Sequence, residues 1–219
     1  MTHRQLIAAA SLTASLFTAA PAVAHPHVFV DAKAEVVFDA NGDITAVRHI
    51  WQFDENFTAY ATLNLDANND GKLSEDELVP LADTNMEALR EYDFFTYLYE
   101  GKTKVAFEKP REYWLDFHDK RLTLFYTLPL KTPLKVKGAA MLEVGDPEYF
   151  VAINFIKGAE IHLDGGPAGC AATYRPPREL DAQTMAILGS IPADQRDLPS
   201  DLVQAASVLS NVINIKCGK

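Results

Sequence analysis

The chain has 219 residues, 20 Lys and Arg against 30 Asp and Glu, a net charge of −10 and 48% hydrophobic residues. That apolar fraction excludes a disordered chain, and two cysteines exclude a disulfide-dense mini-protein. The acidity disfavours nucleic acid and anionic lipid as partners, and the length suffices for one domain, or two small ones, with a buried core.

The amino terminus carries Arg4, an apolar run from Leu6 to Ala20 and small residues at Ala22 and Ala24. A basic start, an apolar stretch too short to span a bilayer and small residues before a cut site predict a signal peptide over 1–24, cleaved after Ala24. No later segment is apolar and long enough to insert directly into a membrane, so a soluble exported protein is expected. Export makes a Cys170–Cys217 disulfide the expected pairing, worth roughly 3–4 kcal/mol through loop entropy.

Strand texture runs from His27 to Phe38; Asn41-Gly42 signals a hairpin turn, and Ile44 to Phe53 reads as the return strand. From Asp54 to Tyr99 the apolar spacing becomes helical, through Phe57, Tyr60, Ala61 and Leu65 and again through Met86, Leu89 and Tyr92-Asp93-Phe94. Strand texture returns at Lys104–Phe107, Tyr113–Phe117, Leu122–Leu128, Ala139–Val144 and Tyr149–Ile156. The expected architecture is α+β: an antiparallel sheet domain over 25–176 with a helical, EF-hand-like insertion at about 54–100. A partly helical segment over 177–219 is expected to be tied back by Cys170–Cys217.

Within the insertion, Asp66-Ala67-Asn68-Asn69-Asp70-Gly71-Lys72-Leu73-Ser74-Glu75-Asp76-Glu77 fits the twelve-residue calcium loop. Asp66, Asn68 and Asp70 supply side-chain oxygens, Lys72 a carbonyl, Ser74 a direct or water-mediated contact and Glu77 two oxygens. Gly71 permits the sharp bend. Ser74-x-x-Glu77 is also a capping box, so a helix starts here with or without metal. Pro80, about six residues into that helix, is expected to end or kink it. A single loop of this kind suits a fixed brace better than a sensor.

Cleavage after Ala24 would expose His25-Pro26-His27, with a free amine and two imidazoles within three residues. These are good ligands for Zn²⁺, Ni²⁺, Co²⁺ or Cu²⁺. Pro26 has no amide proton, which blocks the square-planar site that uses the second and third amide nitrogens. Asp31, Asp54 and Asp146 are candidates to complete the shell. Whether His49 shares a face with His27 depends on a bulge near the hairpin turn. His118 and His162 read as solvent histidines.

The run from His25 to Ala32, Trp51-Gln52-Phe53-Asp54-Glu55, the calcium-like loop, Asp93-Phe94-Phe95-Thr96, Asp146-Pro147-Glu148-Tyr149-Phe150 and Gly169-Cys170 together resemble the family of unknown function numbered 1007 (DUF1007). The resemblance implies a periplasmic component of an ABC-type or nickel/cobalt-type transport system, with a membrane metal permease as partner. It carries the family's histidine pair and Asp-Pro-x-Tyr turn onto His25, His27 and Asp146. The expectation is therefore a periplasmic accessory protein, not an enzyme, that binds or delivers Zn²⁺, Ni²⁺ or Co²⁺ and holds structural Ca²⁺. The alternatives are a calcium- and disulfide-stabilised interaction protein and an amino-terminal-histidine copper enzyme.

Overall fold

The computed structural model describes residues 26–158, 161–191 and 198–218. The expected signal peptide and His25 lie outside the described residues.

The chain opens with β1 (Val28–Phe38) and β2 (Ile44–Phe53), in which burial alternates along the strand, broken once at Ala46-Val47, so that one face is buried. The turn between them is organised by Asp39, whose carboxylate accepts from the backbone N–H groups of Asn41 (2.9 Å) and Asp43 (3.0 Å). Gly42 is needed there twice over: its φ is +78°, and a Cβ would stand 2.7 Å from Pro167 Cγ. The helical insertion follows as α1 (Glu55–Ala61) and α2 (Glu75–Arg90). Asp54 caps α1 by accepting from Asn56 N and Phe57 N. The Ser74–Glu77 capping box starts α2, as its spacing predicts.

Pro80 neither ends nor visibly shortens α2, which runs on to Arg90. Pro80 is exposed, while Leu78, Ala82 and Met86 repeat every fourth residue on the buried face. Burial of that stripe outweighs one missing backbone bond. The helical spacing expected to continue through Tyr92-Asp93-Phe94 does not hold either. Asp93, Phe94 and Phe95 all adopt left-handed backbone, with φ of 53°, 54° and 50°, and turn the chain into β3 (Thr96–Glu100).

The remaining strands are β4 (Thr103–Val105), β5 (Tyr113–His118), β6 (Arg121–Leu134), β7 (Ala139–Val144), β8 (Val151–Phe155), β9 (Ile161–Asp164), β10 (Cys170–Arg175) and β11 (Asn211–Cys217). They form two sheets, not the single antiparallel sheet expected. The first runs β5-β6-β2-β1-β8, with β9 also paired to β1. Both β8 and β9 lie parallel to β1, one along each half of it. The second sheet runs β10-β11-β7-β3-β4 and is antiparallel throughout. One apolar core joins them, from Val30, Trp51 and Leu124 on the first sheet to Leu98, Leu142 and Ile213 on the second.

The end of the chain departs most from expectation. Short helices α3 (Ala182–Leu188) and α4 (Ser200–Ala206) do occur and share a small core of Leu188, Leu198, Leu202 and Ala206. The segment then returns as β11, an interior strand of the second sheet. The Cys170–Cys217 disulfide is present, yet it joins the register partners of neighbouring strands β10 and β11 instead of tethering a helix. The Ile213-Asn214-Ile215 alternation is the signal that marks this strand.

Candidate metal centres

The loop between α1 and α2 is folded by its own acidic side chains. Asp66 accepts from Asp70 N (3.1 Å) and Gly71 N (2.9 Å), and Asn68 Oδ1 accepts from the same Asp70 N at 2.8 Å. Two candidate ligand oxygens therefore converge on one N–H. Asp70 Oδ1 accepts from Lys72 N (2.9 Å). Glu77 closes the loop: Oε2 accepts from Ser74 N (2.9 Å) and Oε1 reaches back to Ala67 N (2.9 Å). Gly71 takes a φ of +79° and Asn69 of 58° at the bend. Backbone hydrogen bonding from Ser74, then the Ser74 hydroxyl and the amides of Ala67 and Asn68, hold the Glu77 carboxyl below its ordinary pKa. The donor set is all oxygen, from carboxylates with the Asn68 amide, the Lys72 carbonyl and the Ser74 hydroxyl, and has the chemistry of a hard-cation site. Among the described residues no three His, Cys, Asp or Glu side chains are grouped to hold an ion, so binding would require Glu77 to exchange its amide partners for metal.

At the amino-terminal end, the backbone N–H groups of His27 and Val28 both donate to Phe150 O, at 2.9 and 3.3 Å. The His27 ring lies 4.8 Å from the Phe150 ring, centroid to centroid. Phe150 ends the Asp-Pro-x-Tyr turn, in which the buried Asp146 carboxylate accepts from Glu148 N and Val151 N, both at 2.9 Å. His27 and the turn bearing Asp146, far apart in sequence, are thus brought together.

The other candidates are placed differently. Asp31 pairs with Arg121 at 2.8 Å. Asp54 stands across from Phe29, accepting from its N–H (2.8 Å) while it caps α1. His118 and His162 are exposed. His49 pairs with Ala34 and faces inward, whereas the alternation of β1 gives the parity of His27 to Phe29 and Asp31, on the other face. The irregularity near Phe38 and Ile44 compensates the turn, so it does not bring the two histidines together.

His49 is instead a core group. Its Nε2 lies 3.1 Å from Thr96 Oγ1, and Thr96 spends its hydroxyl proton on Phe94 O at 2.8 Å. The imidazole must then donate from Nε2, leaving Nδ1 buried with no partner. Desolvation lowers its pKa from 6.5 to about 3. The ring stacks on Tyr126 at 4.7 Å. No spacing rule in the sequence identifies this cluster, because its members come from three strands.

Comparison with known proteins gives a consistent but functionally silent picture. The profile of a family described as a protein of unknown function, DUF1007, matches residues 10–217. An uncharacterised protein of Haemophilus influenzae is 23% identical over 190 residues, covering 85% of this chain and 89% of its own length. An uncharacterised 15.5 kDa protein from the trpE 3′ region of Spirochaeta aurantia is 28% identical over 114 residues, covering 51% of this chain and 81% of its own length.

Proposed function

The chain belongs to the DUF1007 family of proteins of unknown function, and from that premise we propose that it is a periplasmic metal-binding accessory protein. It takes a borderline transition ion (Zn²⁺, Ni²⁺ or Co²⁺) at its histidine-bearing amino-terminal end, for a membrane permease, and Ca²⁺ in the loop of the EF-hand-like insertion. The observation that carries the reading is the docking of His27 on the Asp146–Phe150 turn, through its own and Val28's backbone N–H bonds to Phe150 O and a ring contact. Anchoring of this kind restricts an imidazole that would otherwise be on a free end, and a restricted ligand loses less entropy on binding. Imidazole and amine nitrogens suit these ions, whereas the oxygen-only loop suits calcium.

Calorimetric titration of the mature protein with Zn²⁺, Ni²⁺ and Co²⁺ tests this. Stoichiometric binding is expected, weakened at least about tenfold in the His25→Ala/His27→Ala double variant, as loss of metal-site groups typically does. His118→Ala should leave it unchanged. An affinity unaffected by the double variant overturns the transition-metal assignment. The second reading, a calcium- and disulfide-braced interaction protein, is favoured by the closure of the 66–77 loop through Glu77. In that case Ca²⁺ alone restores the melting temperature lost to EDTA, and zinc adds nothing.

A further inference from the structure

Between the helical insertion and the sheets lies a cavity of about 220 Å³. Its walls are largely apolar and include Trp51 and Phe53 on β2, Phe57 on α1, Leu89 on α2, Phe95, and Phe150 of the 146–150 turn. Two hydrogen-bond donors in this lining, Trp51 Nε1 and Asn85 Nδ2, are buried and make no hydrogen bond among the described residues. Trp51 is only 1% exposed, so its indole N–H has no recourse to bulk solvent. A buried unsatisfied donor costs about 1–3 kcal/mol, and native structures rarely leave two in one place without a reason.

A third observation comes from the backbone. The three consecutive left-handed residues Asp93, Phe94 and Phe95 each cost about 1–2 kcal/mol. Strain of this kind persists where surrounding structure enforces it, often at ligand sites. Here it sets Phe95 in the cavity wall, with its ring 6.4 Å from that of Trp51. The Thr96 hydroxyl holds the turn by donating to Phe94 O.

We propose that this cavity is a binding site for a small uncharged organic molecule with an apolar ring or branched body and a carbonyl oxygen, which accepts from Trp51 Nε1–H and Asn85 Nδ2–H. Both orphaned groups are donors, so the ligand must bring the acceptor. The largely apolar walls disfavour a charged ligand through the cost of desolvating it. A body of about one six-membered ring fits, since a cavity of about 150 Å³ already takes benzene. The site needs neither metal for its chemistry, although Asp146, a candidate metal ligand, and Phe150, which packs on His27, also stand in its wall.

The chain has two tryptophans, and Trp114 is 52% exposed on β5, so indole N–H resonances separate cavity from surface. Trp114→Phe assigns the two signals. Titration of the mature protein with cyclohexanone should shift the Trp51 indole N–H saturably and leave that of Trp114 in place. Cyclohexanecarboxylate, the same ring bearing a charge, should bind at least about tenfold more weakly. Asn85→Leu, which keeps bulk and removes the donor, should weaken cyclohexanone about tenfold. Asn85→Ala serves as the second variant, and an intact Trp51 resonance certifies that each variant is folded. A Trp51 signal unmoved by cyclohexanone means the cavity holds only water and overturns the proposal. Equal binding of the carboxylate, or undiminished binding by both Asn85 variants, overturns it too.

Discussion

At the scale of single residues, Thr96 decides the protonation of His49. Because its hydroxyl donates to Phe94 O, the imidazole is held as the Nε2–H tautomer and a proton on Nδ1 would have no acceptor. The folded state binds that proton only near pH 3, whereas the unfolded chain binds it near 6.5. The unfolded state thus carries more protons between those values, so His49 contributes full stability above about pH 6.5 and loses it as the pH falls towards 3. The slope expected is roughly 1.4 kcal/mol per pH unit. His49→Phe keeps a ring beside Tyr126 and removes the titration. In denaturant melts from pH 7.5 to 4.5 the variant should therefore lose the acid-side decline, so that the wild-type unfolding free energy falls relative to the variant's by roughly 1.4 kcal/mol per pH unit below about pH 6.5.

At the scale of elements, the helical insertion combines a helix that needs no metal with a loop for which we propose calcium. The capping box and the Leu78–Ala82–Met86 stripe account for α2 by themselves. Calcium would act on residues 66–77 only. Adding Ca²⁺ at about a hundredfold over its dissociation constant should stabilise the fold by about 2.7 kcal/mol, seen as a rise in melting temperature. Glu77→Gln tests the separation of roles, since Gln also serves in a capping box but lacks the charge for calcium. The variant should melt within about 1 kcal/mol of the metal-free wild type and lose the calcium response. The 93–95 turn shows the opposite balance. There, burial of Phe94 and Phe95 offsets backbone strain, because each aromatic ring removes far more apolar surface from water than a left-handed residue costs.

At the scale of the whole molecule, one buried side chain ties the two sheets together and a disulfide braces the second of them. Asn211 on β11 donates from Nδ2 to Val144 O on the second sheet (3.1 Å) and to Ile153 O on the first (2.8 Å). Its Oδ1 accepts from Tyr174 OH at 2.8 Å. Asn211→Leu leaves these buried groups unpaired and should destabilise by about 2–4 kcal/mol in denaturant titration. The disulfide closes a separation of 47 residues. Replacing both cysteines by Ala should cost roughly 3–4 kcal/mol, on the order of 10 °C in melting temperature. Among the described residues no helix is long and apolar enough to cross a membrane, and the disulfide fits an oxidising compartment.

Local rules were enough for whatever depends on neighbours in the chain. The alternation of Val28–Phe38 and Ile44–Phe53, the hairpin signal and the capping box are all properties of short windows, and each of these elements stands where its pattern places it. The rest depends on which segments meet. The strand texture ended at Leu128, yet β6 runs on to Leu134 because residues 106–108 continue to pair with it, Glu108 N donating to Pro129 O and Lys131 N to Ala106 O. The parallel pairing of β8 and β9 with β1, the return of the chain end as β11, the burial of His49 and the cavity at Trp51 and Asn85 have no local signature. They follow from packing two sheets around one core, a global balance of buried area against unpaired polar groups that no short stretch of residues encodes.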